Sequence, residues 1–146
     1  MDRGVAVIVT AIAGGFIALQ PPLNAVLGRA TEGLGAAFIS FLIGTLALAL
    51  ILGLSGGASS LGGATEVSWY YLVGGGLLGA MYVYVSLVTV AAIGAGGVVA
   101  ATITGQLVIS LAIDRMGILG LHEAGITPTK ILGVVLLLGG TYLVVR

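Results

Sequence analysis

Charge is what this sequence has least of. Asp, Glu, Lys and Arg make up 7% of its 146 residues, against about a quarter in ordinary soluble domains. A soluble protein so poor in charge would have little surface to offer water. Cysteine is absent, which excludes disulfides, thiolate metal sites and cysteine nucleophiles. Five Lys+Arg balance five Asp+Glu at zero formal net charge, so there is no basic patch for nucleic acid. The single histidine, His122, adjoins Glu123 in a polar segment and reads as a solvated side chain rather than a ligand. GxSxG, HExxH and the GK[ST] ending of a phosphate loop are missing, as are paired carboxylates within any apolar run. The reading is therefore not an enzyme, with no catalytic residue, no metal and no cofactor.

What is present is apolar. Hydrophobic residues reach 59% and mean hydropathy is +1.25. Since about 20 apolar residues cross a bilayer, the chain predicts an all-α integral membrane protein with five transmembrane helices, at residues 4–27, 34–54, 68–90, 95–113 and 129–145. These form a single membrane domain over residues 1–146. The opening Met1-Asp2-Arg3 imitates a signal peptide. The apolar run behind it is long for one, however, and ends in Gln20-Pro21-Pro22 rather than a cleavage site, so the first helix reads as retained. Each of the two prolines removes a backbone donor, so that helix is expected to kink or break at Pro21-Pro22. The Gly/Ser-rich stretch 55–67 reads as a flexible loop. Ser68 is a candidate N-cap, followed by Trp69, Tyr70 and Tyr71 as an interfacial aromatic belt. Thr127-Pro128 reads as a cap with proline at the first helical position. No internal repeat is evident.

All five Lys and Arg residues fall at ends of spans. Five spans put the termini on opposite sides of the membrane. Arg3, Arg115 and Lys130 then share one side, and Arg29 and Arg146 the other. This near balance gives almost no positive-inside bias. It fits a small protein with few charges, and equally a chain that inserts both ways round.

Polar side chains inside the spans are few. Gln20 and Asn24 share one helix face and flank the proline pair. Such groups line binding sites in many transporters, or tie helices together. Thr102, Gln106 and Ser110 recur every fourth residue as a polar stripe, and a buried glutamine needs partners. Those partners are either Gln20 and Asn24 or a substrate. Tyr82, Ser86 and Thr89 follow helical spacing on the third span. Gly75 and Gly79 form a small-xxx-small packing pair. No charged residue sits at the centre of a span, and Asp114, beside Arg115, reads as interfacial. A proton-coupled cation exporter normally needs an ionisable group in the membrane, so a neutral or zwitterionic substrate is favoured.

Several segments resemble the YdcZ-like family. They are Gln20-Pro-Pro-Leu-Asn24-Ala-Val-Leu-Gly28-Arg29, Ala37-Phe-Ile-Ser40-Phe-Leu-Ile-Gly44-Thr45, Gly74-Gly-Gly-Leu-Leu-Gly79-Ala-Met-Tyr82, Gly105-Gln106-Leu107, Asp114-Arg-Met-Gly117, and the last helix with Leu132-Gly133 and Leu138-Gly-Gly140. The resemblance covers nearly the whole chain in order. It implies membership of the drug/metabolite transporter superfamily, as a five-helix half-size unit. Such units occur as dual-topology homodimers, as pairs of oppositely oriented subunits, or fused into ten-helix proteins. It also carries over Gln20, Asn24 and Gln106 as characteristic polar positions. Small multidrug resistance relatives use a first-helix glutamate for substrate and proton, and this sequence has none in its first span.

The expectation is a small-molecule transporter in the plasma (inner) membrane of a prokaryote, working by alternating access as an antiparallel (inverted) homodimer. Gln20, Asn24, Tyr82, Ser86, Thr102 and Gln106 are the expected substrate-binding residues. Its partners are a small-molecule substrate, the lipid bilayer and a second copy, with no nucleic acid. Two alternatives stay open: a small dual-topology ion channel, and a non-transporting membrane scaffold subunit.

Overall fold

The computed structural model describes residues 2–117 and 125–146, so His122 and Glu123 lie outside the described residues. The described residues are helical with no strand: α1 (Arg3–Leu54), a 3-10 segment (Gly57–Glu66), α2 (Trp69–Met116) and α3 (Pro128–Val145). The all-α expectation holds, and all three α-helices are long and apolar enough to cross a membrane.

The five predicted spans are collected into three helical runs because two of the predicted turns occupy a single residue each. In α1 the one non-helical residue is Glu32, at φ 61° and ψ 166°. In α2 it is Gly94, at φ 70° and ψ 168°. Both lie in a backbone region that is essentially restricted to glycine. Residues eight apart on a straight helix are separated by about 12 Å. Yet a Cβ built on Gly28 would stand 3.7 Å from the Ala36 Cβ, so the chain doubles back at Glu32. The hydroxyl of Thr31 donates to the Leu27 carbonyl at 3.0 Å, completing the last turn before the reversal.

The predicted break at Pro21-Pro22 is not where α1 is interrupted, because the backbone stays helical through both prolines. Proline already holds φ near the helical value. What it forfeits is the donor to the carbonyl four residues back, here those of Ile17 and Ala18, and membrane helices tolerate that loss. The Gly/Ser-rich stretch also differs from expectation. It coils as a 3-10 segment in which Ser60 Oγ donates to Gly57 O at 2.6 Å and Thr65 Oγ1 to Gly62 O at 2.9 Å. These side chains close the same three-residue spacing as the 3-10 backbone.

The chain forms two compact units, Met1–Ala91 and Ala92–Arg146. In the first, Ala36, Ala37, Val83 and Leu87 make the core, with Leu27, Phe41 and Tyr82 packed around it. Small residues bring α1 and the first half of α2 together. A Cβ on Gly79 would stand 3.2 Å from the Phe41 ring, and one on Gly33 would stand 3.3 Å from both Leu87 Cδ1 and Tyr84 Cε2. Of the predicted packing pair, Gly79 is therefore packed, whereas Gly75 faces open space.

In the second unit, α3 lies along the second half of α2. A Cβ on Gly97 would meet Val145 Cγ2 at 3.3 Å, and Val98 beside it is buried. Helix α3 starts as its sequence predicts, with Thr127 Oγ1 accepting from the Lys130 amide and Pro128 in the first turn. Across both units most of the large apolar side chains point outward. Phe16 is 70% exposed, Leu48 69% and Leu143 72%, which is the surface a bilayer covers.

Candidate functional site

Hydroxyl and amide side chains fare differently on these helices. A serine or threonine can donate to a carbonyl three or four residues back on its own helix, and among the described residues both buried ones, Ser86 and Thr104, do. Ser86, buried in the first unit, donates to Val83 O at 3.0 Å. Thr89 donates to Val85 O at 2.9 Å. In the second unit, Thr104 Oγ1 lies 2.9 Å from Ala100 O and 2.7 Å from Thr141 Oγ1, which itself lies 3.1 Å from Ala100 O, so two hydroxyl protons are shared among three contacts. This three-centred knot ties α3 to α2.

The amide nitrogen of Asn24 finds no such local partner. Asn24 is 6% exposed, and its Nδ2 is buried with no hydrogen-bond partner. A buried amide nitrogen without an acceptor costs about 1–3 kcal/mol, so native structures rarely leave one stranded. One turn earlier Gln20 is half-buried, and Pro21 between them is fully buried. The proline-flanked face of α1 thus turns into the first unit at Asn24.

The remaining predicted residues sit as follows. Tyr82 packs beside the first-unit core, one turn from Ser86 on α2. Thr102 and Gln106 belong to the second unit, where Thr102 is half-buried and Gln106 exposed. The buried threonine there is Thr104, off the predicted 102–106–110 stripe and committed to Thr141. A pairing of this kind depends on which helix lies alongside, and spacing within one helix carries no trace of it.

A second feature escaped the sequence reading. In the first unit, Pro22, Ala25, Val26 and Arg29 of α1 face Leu87 and Val88 of α2 across a cleft of about 490 Å³. Arg29 is its one charged lining residue. The signal in the sequence was the spacing of residues 22, 25, 26 and 29, an apolar face with a cation at one end.

Three apolar helices and a surface of outward-facing aliphatic side chains define a multi-pass membrane protein. Over residues 5–143 the chain matches the family described as "Putative inner membrane exporter, YdcZ". The chain belongs to that family, and it is a multi-pass protein of the inner membrane. No curated relative and no solved structure matches it.

Proposed function

We propose that the chain is half of a small-molecule exporter, a single membrane domain that works by alternating access as a dual-topology homodimer. The observation that carries this reading is the buried, unpartnered Nδ2 of Asn24. A donor held dry in one copy calls for an acceptor from outside it, either a second copy or a polar substrate. The family's description as an exporter supports transport as the activity. The interruptions at Glu32 and Gly94 support five crossings, since residues 33–54 alone rise about 33 Å, close to the thickness of a hydrocarbon core. An odd number of crossings puts the termini on opposite sides, and the even spread of Lys and Arg lets both orientations insert.

In this reading two antiparallel copies enclose a site near the midplane. Gln20, Asn24 and Gln106 hydrogen-bond the substrate, Thr102 and Ser86 add hydroxyls, and Tyr82 stacks against it. The substrate is neutral or zwitterionic, because no ionisable group sits at mid-span.

The test is a pair of reporters fused to the C-terminus, one active only in the cytoplasm and one only outside it. Comparable activity from both supports dual insertion; activity from one alone refutes the homodimer. For the site, a metabolite that stabilises the purified protein is taken into a vesicle transport assay. Asn24→Ala and Gln106→Ala are expected to lower its transport at least tenfold. Wild-type rates would remove these residues from the site.

A further inference from the structure

The cleft beside Arg29 has the build of a lipid seat. Its walls are Pro22, Ala25 and Val26 on α1 and Leu87 and Val88 on α2, all apolar. Arg29 stands at the end of α1's first segment, three residues before the reversal at Glu32. From Arg29 back to Pro22 the helix falls about 10 Å. A guanidinium at the end of a span lies at headgroup level, and an apolar channel of that length leads from it toward acyl-chain depth. No carboxylate of the described residues pairs with Arg29. The charge is therefore free for an anion, and guanidinium is the side chain best matched to phosphate.

Polarity therefore changes along the cleft in the order that it changes along a phospholipid: a cation where the phosphate would be, then apolar walls where the chain would run. A small soluble anion would use Arg29 and leave those walls bare. A zwitterionic lipid would fill the walls and bring a phosphate too, but its own ammonium offsets that charge and weakens the net attraction to Arg29. We propose that this cleft binds an anionic phospholipid from the surrounding bilayer, its phosphate on Arg29 and an acyl chain between Val26 and Leu87. Basic pockets between membrane helices are known seats for anionic headgroups. The proposal is independent of what the protein transports.

The experiment uses the full chain, purified in mild detergent and exposed to mixed micelles of phosphatidylglycerol or phosphatidylcholine, with retained lipid counted by native mass spectrometry. Phosphatidylglycerol should be retained about fivefold better, the increment that one basic side chain adds at an anionic surface. Arg29→Gln should abolish that preference. Arg29 is exposed, so the variant has no core contact to lose. Val88→Trp, which fills the cleft from the other wall, should lower retention of both lipids while Arg29 remains. Equal retention of the two lipids by wild type would overturn the proposal, as would an undiminished preference in Arg29→Gln. Inorganic phosphate that competes the lipid off at millimolar concentration would also overturn it, since the acyl chain would then contribute nothing.

Discussion

Replacing Asn24 by leucine removes the amide while keeping the same branched skeleton of heavy atoms. The direction of the change depends on where the Nδ2 acceptor is. In a subunit that functions alone, the amide is stranded in a site that is 6% exposed. Leucine would then remove a penalty of about 1–3 kcal/mol and stabilise the protein. In a homodimer that supplies the acceptor, leucine loses the bond and strands that acceptor in turn. Polar contacts between membrane helices average about 0.6 kcal/mol, with a maximum near 1.7. The homodimer reading therefore expects a loss in that range for each copy, together with a smaller crosslinked dimer fraction. Denaturant titration of the detergent-solubilised protein, followed by circular dichroism, measures the first, and crosslinking in native membranes the second. Alanine is a poor substitute here, since the cavity it leaves destabilises in either case. A leucine variant more stable than wild type, with an unchanged dimer fraction, would refute the second copy as the source of the acceptor and leave the substrate as its source.

The two interruptions make a matched pair. Glu32→Gly should raise thermal stability by about 1–3 kcal/mol, because it places glycine where a side chain is strained; Gly94→Ala should lower it by a similar amount, and equal effects in one direction would contradict the backbone assignment. Gly33→Val should cost about 1–3 kcal/mol by overpacking, since even its Cβ would press on Leu87 and Tyr84 at 3.3 Å, and unchanged stability would show that the helices are not so close. Thr104→Val should cost well under 1 kcal/mol, because Thr141 keeps its bond to Ala100 O and no group is stranded; a larger loss on thermal unfolding would mean the knot is cooperative.

Composition and periodicity reach the class of this protein but not its reversals. Span ends predicted at residues 27 and 34 fall inside helix, because a single residue at positive φ turns the chain at Glu32. Glutamate gives no warning of that conformation, whereas Gly94 at the corresponding point in α2 does. The proline pair was a misleading signal for a break, since it removes hydrogen bonds without disturbing helical dihedrals. Among the candidate site residues, the sequence could pick out Asn24 as an amide in an apolar run, but burial and the missing partner emerge only when α1 is folded against its neighbours. Ser86 looked equivalent on paper; its bond to Val83 shows a hydroxyl satisfied within its own helix.

Membrane residence was decided by the sequence itself, through 59% hydrophobic and 7% charged residues, because solvent preference depends on composition and not on which helix neighbours which. The helix starts at Thr127-Pro128 were local in the same way, being set by side chains within one turn. The tertiary structure alone decided that Gly33 and Gly79 are packed while Gly75 is bare, and that Thr104 meets Thr141. It alone placed Arg29 at the end of an apolar cleft. Each of these depends on contact between segments far apart in the chain, and helical spacing describes one segment at a time.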